Sequence, residues 1–187
     1  MSSTRNILMV GVGGQGIVLA SGILARAALY AGHDSKKSEI HGMSQRGGSV
    51  FSHIRFGQKV YSPVIPECSA DLLVSLEEME TLRWLQYCNS QTELILCQAR
   101  VTPANVSKYP AGISHELKRL FQNIVIIDPL ELAGKCGGQK YINTAILGLI
   151  SRRMDFPENA WKESVEELSP AGSASQNWQA FLAGKIL

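Results

Sequence analysis

A glycine-rich turn near the start of the chain constrains its fold more than any other feature. Ile7–Val10 is a short apolar run, Gly11–Gly16 reads G-V-G-G-Q-G, and the stretch from Gln15 to Ala31 is rich in alanine and leucine, with Arg26 as its one charge. A buried strand that leads through a glycine turn into an apolar helix is typical of a parallel α/β sheet. Gly32 follows, where a glycine commonly ends a helix.

The rest of the chain alternates strands and helices in the same way. Strands are expected at 49–55, 72–75, 93–97 and 124–127, and helices at 77–87, 115–121, 141–153, 158–168 and 175–182, with a short helix after Asp128-Pro129. Ser49–Arg55 alternates and is expected to pair with Val60–Tyr61 across a turn at Gly57. Pro103–Gly112 is the one extended loop expected, and a boundary there would leave pieces too small to fold.

These elements predict one α/β domain over residues 1–187. Its core is expected to be a Rossmann-like, doubly wound and mostly parallel sheet, since strands alternate with helices. An antiparallel hairpin element and a helical C-terminal region complete the predicted fold.

Composition and net charge limit the classes of function that the chain is expected to have. The 187 residues are 45% hydrophobic and 18% charged, which is typical of a globular protein. A net charge of +2 gives no argument for a nucleic-acid or membrane-surface partner. The N-terminus lacks the longer apolar region of a signal peptide, and no apolar stretch approaches the roughly 20 residues of a membrane span. We therefore expect a cytoplasmic protein that binds neither nucleic acid nor a membrane.

The four cysteines do not form a metal-binding pattern. Cys68, Cys88, Cys97 and Cys136 are separated by 20, 9 and 39 positions, and the four histidines do not complete a zinc-like spacing. An iron–sulfur cluster normally requires a tight run of thiolates. We expect buried, reduced thiols and no metal bound by this chain.

Three interpretations of the glycine turn remain open. Its glycines can allow close helix–sheet packing, or place a phosphate-bearing cofactor at the helix N-terminus, or form part of an NAD site. An NAD site needs an acidic residue that closes the second strand about 20 residues on. Asp34 lies at that distance but opens the next segment, and Lys36 and Lys37 suit a phosphate instead. The candidate cofactor-binding residues of the turn are Gly11, Gly13, Gly14, Gln15 and Gly16.

A second glycine-marked segment, Ser38–Gly48, reads S-E-I-H-G-M-S-Q-R-G-G. Such loops lie at the carboxyl ends of strands in an open α/β sheet, so we expect it to face the glycine turn across one crevice. Arg46 suits a carboxylate or phosphate, and a histidine such as His41 can donate or accept a hydrogen bond or change its charge near neutral pH. The simpler alternatives are a surface ion pair for Arg46 and a local backbone contact for His41. The candidates in this segment are Glu39, His41, Gln45, Arg46, Gly47 and Gly48.

Taken together, Gly11–Gly16 and Glu39–Ser49 resemble the γ subunit of the 2-oxoacid:ferredoxin oxidoreductases, and Tyr61–Pro66 and Ala70–Glu77 extend the resemblance. The indolepyruvate-oxidising members are the most similar. The resemblance implies one subunit of a heteromeric enzyme that decarboxylates a 2-oxoacid on thiamine diphosphate, reduces ferredoxin through [4Fe–4S] clusters and releases an acyl-CoA.

The resemblance also implies a division of labour. Thiamine diphosphate and the clusters belong to the large partner subunit, coenzyme A is a co-substrate, and this chain is expected to be inactive alone. The glycine-turn and second-segment candidates are then expected to position and stabilise groups on the substrate or coenzyme A side. An isolated chain is expected to be able to form a homodimer through apolar surface meant for its partner.

Two other functions are consistent with the residues. One is a stand-alone Rossmann-type oxidoreductase that binds a nucleotide, and the other is an assembly subunit without a small-molecule site. Two weaker features are interpreted structurally: Glu77, Glu78 and Glu80 as charges that complement a helix dipole, and Asn143 as a helix cap or a crevice residue.

Overall fold

The computed structural model describes residues 4–41, 48–103 and 107–187, which form one six-stranded sheet flanked by seven α-helices. The elements are β1 (Arg5–Val12), α1 (Ile17–Tyr30), β2 (Asp34–His41), β3 (Ser49–Gly57), β4 (Leu72–Ser75), α2 (Glu78–Arg83), β5 (Glu93–Cys97), α3 (Ile113–Leu120), β6 (Asn123–Ile127), α4 (Pro129–Cys136), α5 (Ile142–Ser151), α6 (Glu158–Leu168) and α7 (Ala174–Lys185). Short 3₁₀ turns at Leu85–Tyr87 and Gln139–Tyr141 follow α2 and α4.

The strand order is β2-β3-β1-β4-β5-β6. Only β3 is reversed, because it pairs antiparallel with both β1 and β2 while β1, β4, β5 and β6 pair in parallel. The predicted α/β fold with a mostly parallel sheet and an antiparallel element is therefore confirmed. After β1 the chain forms β2 and β3 on one side of the sheet, and after β4 it forms β5 and β6 on the other side. The carboxyl ends of β1 and β4 thus form the topological switch point, where open α/β sheets bind ligands.

The antiparallel element has a different partner from the predicted one. β3 pairs with β2, from Asp34↔Gly57 to His41↔Val50, whereas Val60–Tyr61 belong to an irregular segment over 58–71. β2 was not predicted because its sequence begins D-S-K-K-S-E, which is polar. A polar sequence is compatible with this strand, since it lies at the sheet edge and its side chains are only half-buried. The expectation of a single extended loop was also wrong, because residues 58–71, which include the predicted strand Val60–Tyr61, form a second one.

Both faces of β1 are buried, and this explains its apolar sequence. Ile7 and Met9 pack in a cluster with residues of α1, α5 and α7, while Leu8 and Val10 pack with residues of β4, β5 and α3. Helices therefore cover the sheet on both sides. No helix within the described ranges is both long and apolar enough to cross a membrane.

His53 is a buried titratable residue on β3. Its Nδ1 accepts a hydrogen bond from the Ile65 amide at 3.3 Å, and its ring lies 5.1 Å from Tyr87 and 5.5 Å from Phe51. Burial lowers the pKa of His53, and the charge of Arg55 acts in the same direction. The folded chain therefore favours the neutral imidazole.

This burial predicts a dependence of stability on acid. His53 should contribute fully to the free energy of unfolding above the unfolded pKa of about 6.5, and the contribution should be lost as pH falls through the lower folded pKa, because the unfolded chain then binds the proton more readily. The free energy of unfolding can be measured with urea between about pH 7.5 and 4.5. As the pH falls, it should decrease less steeply for His53→Gln than for wild type. His115→Gln, which removes an exposed histidine from α3, is the matched control. Equal slopes for wild type and His53→Gln would contradict the prediction.

Candidate functional site

Gln15 closes the gap between β1 and β4 at the switch point. Its Oε1 accepts a hydrogen bond from the Val12 amide at 2.9 Å, and its Nε2 donates to the Leu76 carbonyl at 2.8 Å. A Cβ on Gly11 would lie 2.6 Å from Gln15 Oε1. Because Gly11 has no Cβ, the Gln15 side chain of the same turn can pack directly against its backbone.

Gly16 makes room for Asn143 in a similar way. The Asn143 side chain is buried in the first turn of α5, and its Nδ2 donates to the Gly16 carbonyl at 3.1 Å. A Cβ on Gly16 would lie 2.3 Å from that nitrogen, and the φ of +75° favours glycine as well. Asn143 therefore joins the start of α1 to α5, and within the described residues its side chain does not cap its own helix. These contacts favour the packing interpretation for Gly11 and Gly16.

Among the described residues, the acidic residue that an NAD site needs does not lie beside the turn. Asp34 begins β2 at the end of the sheet opposite the glycine turn, where its carboxylate accepts a hydrogen bond from the Val60 amide at 2.7 Å. This hydrogen bond is the main cause that lowers the pKa of Asp34. β3 also separates β2 from β1, so the carboxyl end of β2 is not next to the turn.

Within the described residues, a backbone hydrogen bond joins the second predicted segment to the glycine turn. The Gly13 amide donates to the Gly48 carbonyl at 2.8 Å. Glu39 lies within β2 and pairs with Lys37 at 2.7 Å, while His41 ends β2 opposite Val50. Gln45, Arg46 and Gly47 lie outside the described residues. The shared crevice of the two segments therefore stays a prediction beyond the Gly13–Gly48 contact.

A cavity of about 810 Å³ lies at the carboxyl ends of β1, β4, β5 and β6, on the side of β1 away from β3. Of the predicted site residues, Gly14 and Gln15 line it. Sequence reasoning missed its other polar residues, which are Gln98, Arg100, Asp128, Gln139 and Lys140. A usable signal existed for three of them, because Gln98 and Arg100 closely follow β5 and Asp128 follows β6. Residues in such positions line the binding crevice of open α/β sheets.

The acidic cluster at α2 holds the loop after β5. Glu77 is 1% exposed and accepts hydrogen bonds from the Val101 amide at 3.1 Å and the Tyr109 hydroxyl at 2.6 Å. Glu78 is fully buried and pairs with Arg100 Nε at 2.9 Å. Glu78 and Glu80 lie in the first turn of α2, as the helix-dipole interpretation expects, and Glu77 caps the helix through the Glu80 amide. That interpretation was incomplete, because Glu77 and Glu78 also bind the loop after β5. The cluster therefore fixes one wall of the cavity.

Backbone contacts complete this attachment. The Glu78 amide donates to the Ala99 carbonyl at 3.1 Å, and the Gln98 amide donates to the Ile127 carbonyl at 2.9 Å. The hydrogen bond with Glu78 raises the pKa of Arg100, so the guanidinium stays charged. Burial and the bond to Glu77 raise the pKa of Tyr109, which stays a protonated donor. The cavity therefore has a fixed cation at its rim.

The cysteines differ in exposure. Cys97 and Cys136 are buried and Cys88 is half-buried, but Cys68 is exposed, so the expectation of four buried thiols was wrong for Cys68. Burial raises the pKa of both Cys88 and Cys97 to about 11. Across residues 4–41, 48–103 and 107–187, no three side chains of His, Cys, Asp or Glu converge to hold a metal ion.

Comparison with known proteins gives a consistent result. The model of the family described as pyruvate ferredoxin/flavodoxin oxidoreductase matches residues 6–186. The indolepyruvate oxidoreductase subunit IorB of Archaeoglobus fulgidus is 39% identical, over 87% of this chain and 82% of the relative. The protein of the same name from Thermococcus kodakarensis is 36% identical, over 96% and 93%. The 2-oxoglutarate synthase subunit KorC of Methanothermobacter marburgensis is 25% identical, over 98% and 96%.

A solved structure shares the fold. The γ subunit of a keto/oxoacid ferredoxin oxidoreductase from Geobacter sulfurreducens superposes with a TM-score of 0.70, at 21% identity. The match covers 97% of this chain and 94% of that subunit.

Proposed function

Because the chain belongs to the pyruvate ferredoxin/flavodoxin oxidoreductase family, we propose that it is the small subunit of an indolepyruvate oxidoreductase. In the proposed reaction the complex converts the 2-oxoacid and coenzyme A to an acyl-CoA and carbon dioxide. The two electrons released pass to ferredoxin. The chain is proposed to be inactive without its large partner.

The observation that carries this proposal is the difference in identity between relatives. The two indolepyruvate subunits are 39% and 36% identical to this chain, and the 2-oxoglutarate subunit is 25% identical although it matches over a similar length. The matches span most of the relatives' own length. This supports an independent small subunit and favours an aryl 2-oxoacid as the substrate.

The proposed division of labour places thiamine diphosphate and the [4Fe–4S] clusters in the large subunit. Ferredoxin is then reduced through the complex and not by this chain alone. Within this chain, the glycine turn and the second segment are proposed to face the partner near the substrate or coenzyme A. The Gly13–Gly48 hydrogen bond supports that placement, because it joins the two segments beside the switch point.

Reconstitution tests the proposal. The chain should be co-expressed with its candidate large subunit, and reduction of a viologen dye should be measured anaerobically with indolepyruvate and coenzyme A. We expect turnover from the pair and at least about 100-fold less from either chain alone, because positioned groups from two chains are needed together. A stable complex that oxidises 2-oxoglutarate or pyruvate and not indolepyruvate would reject the substrate assignment.

The same assay separates the alternative functions. Arg46→Ala should assemble with the partner but lose turnover if the second segment contributes to the site, whereas an assembly subunit would keep both. Arg119→Ala is the matched control, since the Arg119 side chain is exposed on α3 and pairs there with Glu116. Tight binding of NAD or NADP to the isolated chain would instead favour a stand-alone oxidoreductase. Size-exclusion chromatography with light scattering would test the expected homodimer.

A further inference from the structure

Two of the four cysteines lie on adjacent backbone segments, although they are 20 positions apart in the sequence. Cys68 belongs to the irregular segment 58–71, and Cys88 follows the 3₁₀ turn after α2. The Cys68 amide donates to the Gln86 carbonyl at 3.0 Å, and the Cys68 thiol donates to the same carbonyl at 3.7 Å. Asn89 Nδ2 donates to the Cys68 carbonyl at 2.7 Å. Hydrogen bonds to residues on both sides of Cys88 therefore hold Cys68 next to the segment that carries it.

The backbone of Cys68 is fixed in an uncommon conformation. Its φ of +54° makes Cys68 the one described residue other than glycine with a φ in the left-handed region. A further hydrogen bond, from the Ala70 amide to the Tyr87 carbonyl at 2.8 Å, joins the same two segments. A disulfide needs Cα atoms within about 7 Å of each other, and adjacent segments joined by direct hydrogen bonds lie in this range. The fold therefore brings the two cysteines to the separation that a disulfide needs.

The two thiols differ in exposure, and this difference assigns their chemical roles. Both are free, but Cys68 is exposed whereas Cys88 is half-buried. Burial raises the pKa of Cys88 to about 11, and negative charge on Cys68 acts in the same direction, as expected for neighbouring thiols. A small disulfide in solution can therefore reach Cys68 first, and Cys88 is the second thiol, which reacts from within the fold.

We propose that Cys68 and Cys88 form a reversible disulfide, with a low-molecular-weight disulfide as the oxidant. Cys68 loses its proton to solvent, its sulfur attacks the oxidant, the S–S bond of the oxidant breaks, and one small thiolate leaves. Cys88 then loses its proton, its sulfur attacks Cys68 Sγ in the mixed disulfide, and the second small thiolate leaves. The two cysteines are thus oxidised by two electrons, and the oxidant is reduced to two thiols. The new bond joins segment 58–71 to the turn after α2 and closes a loop that contains β4 and α2.

The site can be tested on the reduced full-length chain after equilibration with reduced and oxidised glutathione. Once free thiols are blocked, peptide mapping should find Cys68 joined to Cys88, and digestion after Glu93 separates Cys88 from Cys97. We expect the equilibrium constant for this bond to be at least about tenfold larger in the folded chain than in urea, because the fold holds the two sulfurs together. The bond should therefore raise the melting temperature by at least about 3 °C.

Three variants provide the controls, each compared in its oxidised and reduced forms. Cys68→Ser and Cys88→Ser should each abolish both the bond and the rise in melting temperature. Reduced Cys68→Ser should melt like the reduced wild type, because this side chain is exposed. Cys136→Ser should keep both the bond and the rise, since a hydroxyl can replace the Cys136 thiol as donor to the Ala133 and Gly138 carbonyls.

Three results would overturn the proposal. One is a stable glutathione adduct or a disulfide-linked dimer at Cys68 while Cys88 stays free. The second is a bond from either cysteine to Cys97 or Cys136, and the third is an equal equilibrium constant in folded and unfolded chains. Neither Cys68 nor Cys88 lines the cavity or belongs to the glycine turn. Because indolepyruvate turnover is measured separately, such a failure would leave the proposed function standing.

Discussion

Replacing Gly184 with alanine is expected to destabilise the fold by about 2–4 kcal/mol, since overpacking against backbone cannot be relieved by a rotamer change. Gly184 lies on α7 where the helix crosses α5. A Cβ at this position would be 1.7 Å from the Ala145 carbonyl oxygen. Gly148 of α5 is the reciprocal contact, with a Cβ 1.9 Å from the Phe181 carbonyl oxygen. The helices must therefore separate to admit either methyl group.

Urea unfolding followed by circular dichroism measures this effect. Gly134→Ala is the matched control, because Gly134 is also within a helix but a Cβ added there would meet no atom of a neighbouring element within 4 Å. It should stabilise the protein by up to about 1 kcal/mol through helix propensity. If the free energy of unfolding of Gly184→Ala were within about 0.5 kcal/mol of the wild-type value, α5 and α7 would not pack this closely.

Replacing Glu77 with leucine is expected to cost about 3 kcal/mol, because a buried acceptor is removed from several donors at once. The Glu80 amide, the Val101 amide and the Tyr109 hydroxyl all donate to this carboxylate. Leucine fills a similar space but satisfies none of them. The loop from Gln98 to Val101 should then lose part of its attachment to α2, and with it one wall of the cavity.

Two measurements separate the global loss from the local one. Urea unfolding gives the free energy, and hydrogen exchange should show faster exchange of the amides from Gln98 to Val101. Glu131→Leu is the control, because Glu131 is exposed on α4 and its pairing with Lys135 contributes less than about 1 kcal/mol. If Glu77→Leu exchanged at the wild-type rate in this loop, the carboxylate would not be what holds it.

The parts of the fold that the sequence predicted are local and strongly patterned. Ile7–Val10 with its glycine turn and apolar helix needs only neighbouring residues to specify a strand, a turn and a helix. The same holds for β4 and β5, whose short apolar runs are typical of strands inside a parallel sheet, and for the edge strand β6, whose sequence N-I-V-I-I is still apolar. β2 is the other edge strand, and it was not predicted because its sequence is mostly polar and shows no apolar alternation.

The candidate site, like the fold, was predicted only in those parts that neighbouring residues specify. The sequence by itself placed the glycine turn at the end of a central strand, and it marked the second segment that Gly48 brings beside it. Only the tertiary structure decided that Gln15 bridges to Leu76, that Asn143 fastens Gly16 and that buried Glu78 orients Arg100. These contacts join residues 61, 127 and 22 positions apart. Their pairing is set by strand order and helix packing, which local periodicity does not encode.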